Sequence, residues 1–353
     1  MKTAAKTLLA LGTLLLALGL GEAAVRAFGL GPDVYGIQRG MIRLTPDPEL
    51  RYELAPNYVS PARDVQINVH GMRDAPRALA KPPGVRRIAC VGDSVCFGMG
   101  TSQDPFNRQL ELRLGGGSEV LNFGVPGYHV GQVAATLAGR AAAFAPDLAL
   151  VLYCLNDPQE TSRELEGILR WRELPAGRAD ALRRLWNPAH PALERSRLWQ
   201  LFRWRLASWT AAAAPALPRY RDDMEVILAG GGEAHYRALY EDPAARARLA
   251  AGFDALARWQ AETGVPVWVV VFPVFVELAA YRLGDLHRIV AEEAAARGLR
   301  TLDLLPVYQE ALRAGREPFH ADPLHPNRTG YGLAAGAVAE ALRSAGWGAL
   351  AER

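Results

Sequence analysis

The chain of 353 residues carries 40 Lys and Arg against 37 Asp and Glu, and half of its residues are hydrophobic. This composition is typical of a folded globular protein and excludes a disordered chain. The formal net charge of +3 gives no sign of the dense basic face that phosphate contacts require, so we expect no nucleic acid as a partner.

The N-terminal segment, residues 1–30, predicts export from the cytoplasm. Two lysines precede residues 7–21, an uncharged run with eight leucines that is typical of a secretory signal, and residues 17–19 offer a small-x-small cleavage site. A retained membrane span needs about 20 apolar residues, which this run reaches only by including two charged residues. Because early lysines favour an inside N-terminus, both alternatives place the rest of the chain outside the cytoplasm. We expect an inner-membrane-anchored protein facing the periplasm or exterior, or a secreted one.

Residues 31–84 are predicted to form an irregular extension. They are rich in Pro, Gly, Asn and Asp, with short strand-like pieces such as residues 65–69. The sequence Lys-Pro-Pro-Gly at residues 81–84 marks a boundary, after which we place the main domain at residues 85–348.

The main domain alternates apolar runs with amphipathic stretches. The runs predict buried strands at residues 87–91, 119–123, 148–155, 265–272 and 299–305. The stretches between them predict helices that include residues 132–144, 244–263 and 286–297. Strands that alternate with helices form a parallel sheet covered on both faces, and ligands bind at the carboxyl ends of such strands. The sequence therefore predicts a five-stranded α/β domain.

A long interval, residues 159–242, exceeds one crossover connection and predicts a helical insertion. Its residues 181–220 hold seven arginines and one glutamate, interleaved with tryptophans. A helix from Arg195 to Trp209 has two interpretations. We favour a helix that packs its Trp face on the domain and solvates its arginines. The alternative is a basic helix lying on an anionic membrane surface, which gains weight if the N-terminal segment is a retained anchor.

Polar residues follow the predicted strands at the places where ligands should bind. Ser94 comes after the first strand, a Gly-rich turn at residues 122–128 after the second, and Asn156 after the third. Asp322 and His325 stand near the C-terminus, three residues apart, so that one short turn can hold both side chains. We expect all of these groups to converge on one rim of the sheet.

This set of residues suits acyl transfer through a serine. The Ser94 hydroxyl needs a base to remove its proton, which His325 can do at neutral pH, and Asp322 can hold the imidazole in the correct tautomer. The negative oxygen of the tetrahedral intermediate needs hydrogen-bond donors. Backbone N–H groups of Ser94 and of a glycine-flanked turn can supply two, and the Asn156 side chain a third.

These segments resemble the sequence blocks of the SGNH (GDSL-type) hydrolase superfamily, over roughly residues 87–342. The resemblance implies a flavodoxin-like three-layer α/β/α sandwich with the triad Ser94, Asp322 and His325. The matching segments are Gly92-Asp93-Ser94 with Gly98, the turn from Asn122 to Gly127, Asn156-Asp157, and Asp322-x-x-His325.

The same resemblance implies an oxyanion hole formed by Ser94, Gly127 and Asn156. One departure is Cys154, which stands where the family usually has glycine two residues before the Asn. It changes the pocket beside the oxyanion hole but removes no catalytic group.

Other chemistry-bearing residues have weaker patterns. His70, His190, His235 and His287 lack metal-ligand spacing, and the sequence implies no metal and no cofactor. Three cysteines without a C-x-x-C pair favour buried free thiols over a Cys96–Cys154 bridge. For Asp93 we favour a structural hydrogen bond, and for His129 an exposed position in a loop. We assign His320 no role.

We therefore expect an exported serine esterase acting on a small-molecule or glycan ester, such as an O-acylated envelope or extracellular substrate. The same triad would serve an O-acetyltransferase acting on a polysaccharide, in which a sugar hydroxyl takes the acyl group in place of water. A lipase docked on a membrane by the basic insertion is a third alternative. From another class, a non-catalytic glycan- or lipid-binding module remains open, although it would not need an activated nucleophile.

Overall fold

The computed structural model describes residues 2–27, 41–60, 64–159 and 230–347, together with residues 196, 198, 199, 201, 202 and 227. The chain divides into two compact units. One contains Met1–Arg43 and Ser162–Tyr220, and the other contains Leu44–Thr161 and Arg221–Arg353. Most of the predicted insertion at residues 159–242 lies outside the described residues. So does most of the predicted helix at residues 195–209.

The first unit contains a long N-terminal helix, α1 (Lys2–Ala27). Its leucines at positions 9, 11, 14, 15, 16, 18 and 20 are exposed. Near its end the Glu22 carboxylate accepts hydrogen bonds from the Ser196 hydroxyl at 2.8 Å and the Leu198 N–H at 2.9 Å. Within the described part of the chain, no helix combines the length and the apolar character needed to cross a membrane.

The extension contains two short strands, β1 (Ile42–Leu44) and β2 (Tyr52–Leu54). From Leu44 onward it lies in the same compact unit as the α/β domain. Tyr52 is fully buried, donates its hydroxyl to Pro126 O at 3.1 Å, and stacks edge-on against Tyr128 at 5.0 Å between ring centroids. The extension thus contacts the turn that follows the second strand of the main sheet.

The strand-like piece at residues 65–69 is not a strand, which corrects the expectation from the sequence. The segment makes one isolated antiparallel bridge, between Val59 and Gln66. The Asn68 side chain then accepts hydrogen bonds from the N–H groups of His70 at 2.9 Å and Met72 at 3.1 Å. Asn side chains that bond their own backbone favour a turn over a sheet ladder.

The main sheet has five parallel strands in the order β4-β3-β5-β6-β7. Every described residue of β5 and β6 is buried, as expected for strands covered on both faces. The strands are β3 (Arg86–Gly92), β4 (Ser118–Asn122), β5 (Leu148–Tyr153), β6 (Val267–Val271) and β7 (Arg300–Asp303). The predicted five-stranded parallel sheet and its flavodoxin-like order are confirmed.

Helices cover both faces of this sheet. On one face α3 packs against α9, and on the other α4 packs against α6. The helices are α2 (Ser94–Phe97), α3 (Phe106–Leu114), α4 (Val130–Thr136), α5 (Gly232–Glu241), α6 (Pro243–Thr263), α7 (Gly284–Ala295), α8 (Leu305–Arg313) and α9 (Arg328–Ser344). A π-helical turn, Leu137–Ala141, and a 3-10 turn, Ala142–Phe144, continue α4.

The strand order fixes the place of the site. β3 lies between β4 and β5, so the chain leaves β3 in one direction and β5 in the other. The carboxyl ends of these two strands form the topological switch point, where open α/β sheets bind their ligands. Ser94 directly follows β3, and Asn156 follows β5.

Candidate active site

Ser94 begins the short helix α2 at the carboxyl end of β3 and is 4% exposed. The preceding Asp93 caps this helix, because its Oδ1 accepts the Val95 N–H at 2.8 Å. Gly92 allows the close approach of β5, since a Cβ there would lie 2.6 Å from the Leu152 carbonyl oxygen. The nucleophile candidate is therefore held by a cap and by tight strand packing.

His325 and Asp322 face Ser94 from the loop before α9. The His325 Nε2 atom lies 3.0 Å from the Ser94 Oγ, and the Nδ1 atom lies 2.8 Å from the Asp322 Oδ2. Asp322 Oδ1 also accepts the N–H groups of Leu324 at 2.8 Å and of His325 at 2.9 Å. The structure thus brings together the three side chains that the sequence predicted as a triad.

The charge of Asp322 sets the roles of the two ring nitrogens. Burial favours its neutral form, but hydrogen bonds from the His325 ring and from the Leu324 and His325 N–H groups outweigh that effect and lower the pKa of Asp322. An ionised carboxylate only accepts, so the Nδ1 of His325 carries the proton. The Nε2 is then an acceptor for the Ser94 hydroxyl. Asp93 Oδ2 is a longer alternative acceptor for this hydroxyl, at 3.3 Å.

The turn after β4 packs directly on the nucleophile helix. A Cβ at Gly124 would lie 2.1 Å from the Phe97 nitrogen, and the Asn122 Oδ1 accepts the Gly124 N–H at 2.9 Å. The Val125 N–H donates to Gly92 O at 3.0 Å. Gly127 lies two residues farther along this turn, with a positive φ of 78°.

Asn156 lies in the turn after β5 and is half-buried. The next residue, Asp157, accepts the Val130 N–H at its backbone carbonyl at 3.0 Å, which ties this turn to the chain that follows Gly127. The predicted oxyanion residues Gly127 and Asn156 therefore lie on adjoining turns. Among the described residues, the Asn156 Oδ1 has no hydrogen-bond partner.

Two buried carboxyl groups lie close to this site. Burial raises the pKa of Asp93, although hydrogen bonds and the His325 ring oppose the shift. Burial also raises the pKa of Asp157 well above its usual range, and the nearby Asp93 adds to this effect. Both are 1% exposed. The hydrogen bond of Asp93 to the Val95 N–H agrees with the structural role expected from the sequence.

The other candidate histidines have structural roles. His129 is half-buried, so the expectation of an exposed loop residue was wrong. Its Nδ1 accepts the Gly131 N–H at 3.1 Å and caps α4, and Gln132 completes a capping box. Burial, with the charges of Arg248 and Arg51, lowers the pKa of His129 to about 4. A sequence search for caps misses this residue because Ser, Thr, Asp and Asn are the usual capping types.

His320 stacks on the Phe275 ring, with centroids 5.3 Å apart. The buried His287 joins Asp303 at 2.9 Å and the Tyr281 hydroxyl at 3.0 Å in a separate network. Across the residues described above, no group of three His, Cys, Asp or Glu side chains is placed to hold a metal ion.

The cysteines Cys90, Cys96 and Cys154 are free and buried. Burial raises the pKa of all three thiols well above the usual value. Cys154 is 1% exposed, so the departure from the family pattern places a buried thiol at the start of the turn that contains Asn156.

Two side chains outside the predicted set also hold the nucleophile segment, residues 94–101. The Tyr331 hydroxyl of α9 donates to the carbonyls of Val95 at 3.0 Å and Met99 at 2.9 Å. The Arg73 guanidinium donates to the carbonyls of residues 97, 98 and 101. Neither residue lies in a sequence block, and no periodic pattern identifies them.

Comparison with known proteins identifies the family of this chain. The sequence model of the GDSL-like Lipase/Acylhydrolase family matches residues 90–333. The chain belongs to this family. The resemblance to SGNH hydrolases that the sequence indicated is thereby confirmed, and membership of this lipase/acylhydrolase family supports a hydrolase. A search of curated proteins found no match.

Several solved structures of low sequence identity are similar. An inhibitor-bound aryl esterase of M. smegmatis has 15% identity over 74% of this chain and 99% of that chain, with a TM-score of 0.39. A two-domain esterase active on acetylated mannans has 13% identity over 74% of this chain and 49% of that chain, with a TM-score of 0.39. A lipase/acylhydrolase from Enterococcus faecalis has 16% identity over 74% of this chain and 97% of that chain, with a TM-score of 0.37.

Proposed function

We propose that this GDSL hydrolase is a carboxylic ester hydrolase that works through an acyl-Ser94 intermediate. One observation carries the proposal. The Ser94 Oγ lies 3.0 Å from the Nε2 of a histidine whose Nδ1 is held at 2.8 Å by the carboxylate of Asp322. This is the hydrogen-bonded chain that turns a serine hydroxyl into a nucleophile.

The first half of the reaction forms the acyl-enzyme. The Ser94 Oγ attacks the ester carbonyl carbon while its proton passes to the Nε2 of His325. The N–H groups of Ser94 and Gly127 and the Nδ2 of Asn156 stabilise the oxyanion. The intermediate collapses, the bond to the alcohol oxygen breaks, and the alcohol leaves with the proton from His325.

The second half repeats these steps with water. Water attacks the acyl carbon and gives a proton to His325, and the new intermediate releases the carboxylic acid as Ser94 recovers its proton. Asp322 stays ionised throughout and stabilises the imidazolium. In an acetyltransferase, a sugar hydroxyl would take the place of water, with the same residues in the same roles.

We propose an O-acylated envelope or extracellular molecule as the substrate, in keeping with the export that residues 1–30 predict. The support is the N-terminal run of leucines, seven of which are exposed on α1. The test is cell fractionation with N-terminal sequencing of the mature protein. A protein found in the cytoplasm with an intact N-terminus would contradict both the location and this substrate.

The decisive experiment compares full-length protein with Ser94→Ala and with Ser102→Ala, which changes an exposed serine of the following loop. Each is treated with a fluorophosphonate probe and with p-nitrophenyl esters of increasing chain length. We expect labelling and turnover in wild type and Ser102→Ala and neither in Ser94→Ala. Labelling without turnover would replace the hydrolase with a transferase that needs its acceptor. Neither signal from the folded wild type would refute catalysis and favour a binding module.

A further inference from the structure

The Arg73 side chain enters the catalytic domain from the extension, upstream of the family match that begins at residue 90. It is 6% exposed. Its Nη1 donates to Gly98 O at 2.7 Å and Phe97 O at 3.3 Å, and its Nη2 donates to Thr101 O at 2.7 Å. All three carbonyls belong to the segment that begins with Ser94.

This placement is costly for stability. Burying a cation without a paired anion carries a large desolvation penalty. Among the described residues no carboxylate forms an ion pair with Arg73, and burial lowers the pKa of its guanidinium. The Phe97 ring, 4.9 Å from the guanidinium carbon, and the three carbonyls contact the charge directly, and the carboxylate of Asp64 favours it without forming an ion pair. The rigid fork of a guanidinium can hold several carbonyls at once in a way that an ammonium cannot.

The segment that Arg73 holds also contacts the histidine side of the site. Gly98 and Gly100 have positive φ values of 95° and 85°, which only glycine adopts readily. A Cβ at Gly98 would lie 3.1 Å from the Arg73 Nη1, and one at Gly100 would lie 3.0 Å from the His325 Cβ. Residues 98–101 therefore pack between the Arg73 guanidinium and the loop that carries His325.

We propose that Arg73 is a positioning residue that holds residues 97–101 and thereby keeps the Ser94 Oγ and the His325 Nε2 at hydrogen-bond distance. This inference rests on the proposed function, because it assigns a role toward those two atoms. Arg73 itself touches neither of them. Its contribution comes through the backbone, and a misplacement of about 1 Å in a catalytic group costs about 10²-fold in rate.

Arg140 provides a matched control. Its Nη2 donates to the carbonyls of His70 at 2.9 Å and Gly71 at 3.0 Å, so it fixes the same stretch of the extension that carries Arg73. Among the described residues, the hydrogen bonds and the ion pair of Arg140 go to His70, Gly71 and Glu53, all outside the nucleophile segment. Arg140→Ala therefore loosens the extension without removing the hydrogen bonds to residues 97–101.

The experiment measures kcat and KM for a p-nitrophenyl ester with full-length wild type, Arg73→Ala, Arg73→Lys, Arg73→Gln and Arg140→Ala, each normalised to folded protein. We expect Arg73→Ala and Arg73→Gln to lower kcat by about 10²-fold with little change in KM. Arg73→Lys should lose less, and guanidinium ion at low millimolar concentration should restore part of the rate to Arg73→Ala. Arg140→Ala should lower thermal stability and leave kcat unchanged.

Three other outcomes would each contradict either this inference or the proposed function. Wild-type kcat in Arg73→Gln would overturn the inference, as would an equal loss of kcat in Arg140→Ala and Arg73→Ala. If Arg73→Ala does not fold, Arg73→Lys and Arg73→Gln decide by the same criterion. Absence of turnover and of fluorophosphonate labelling in the wild type would instead refute the proposed function, which separates the two failures.

Discussion

Replacing Gly330 by alanine should disable the catalytic loop from a position outside the triad. Gly330 lies in the first turn of α9, where a Cβ would stand 1.9 Å from the Phe319 carbonyl oxygen. That oxygen accepts the Asn327 N–H at 3.1 Å and closes the loop of residues 319–327. The helix is fixed at this point, because Asn327 Oδ1 accepts the Gly330 N–H and the Tyr308 hydroxyl donates to Gly330 O.

The size of the effect follows from these contacts. The oxygen and the new methyl group must separate by about 1 Å, and forcing atoms into a packed site costs about 1–3 kcal/mol. The intrinsic gain of alanine over glycine in a helix, about 0.5–1 kcal/mol, offsets part of this cost. Because Asp322 and His325 lie on the displaced loop, we expect kcat/KM to fall about 10²-fold.

The assay compares ester hydrolysis and thermal unfolding of Gly330→Ala with those of Gly336→Ala, a change in the same helix. A Cβ at Gly336 meets nothing closer than the Arg113 Nε at 3.7 Å, which is an ordinary contact. We expect Gly336→Ala to gain about 0.5–1 kcal/mol in stability with unchanged activity. Wild-type activity in Gly330→Ala would refute the argument that the loop is held against the helix.

Three further predictions concern single side chains. Asp322→Asn should keep the fold and lower kcat by about 10³–10⁴-fold, because an amide holds the wrong tautomer of His325; steady-state kinetics with a circular dichroism spectrum would check it. Asn156→Ala should lower kcat by about 10²–10³-fold with KM little changed, whereas a loss confined to KM would remove Asn156 from the oxyanion hole. Because the pKa of His129 is lowered to about 4, its cap stabilises the fold fully above pH 6.5 and is lost as the pH falls through about 4. In His129→Asn that pH dependence of unfolding should disappear, and an unchanged profile would contradict the cap.

The sheet could be predicted because its strands are continuous apolar runs. Residues 148–155 and 265–272 contain β5 and β6, whose side chains are buried on both faces and leave a plain signal in the sequence. Helix ends were harder to predict. Residues 132–144 were expected as one helix, whereas α4 begins at Val130 behind a histidine cap and changes to π-helical and 3-10 turns after Thr136.

The candidate site likewise contains residues that the sequence predicts and one that it does not. Ser94, Asp322 and His325 stand in short segments whose order matches known blocks, and the structure brings their side chains within hydrogen-bond distance. Arg73 could not be found from the sequence. Its partners are backbone carbonyls more than twenty residues away, and they are exposed to it only because the chain turns at Gly98. Bonds from a side chain to a distant backbone leave no residue-type pattern.

The three buried thiols can be used to detect transient opening of the folded protein. Cys90 lies in β3, Cys96 in the helix of the nucleophile and Cys154 at the start of the Asn156 turn, each 1% exposed. A water-soluble alkylating reagent reacts with a cysteine that is both exposed to solvent and deprotonated, and in the folded chain these three thiols are neither. Alkylation therefore proceeds through transient opening of the sheet, at a rate set by the opening equilibrium. Mass spectrometry of the alkylated peptides would show, without denaturant, which of β3, α2 and the Asn156 turn opens most readily.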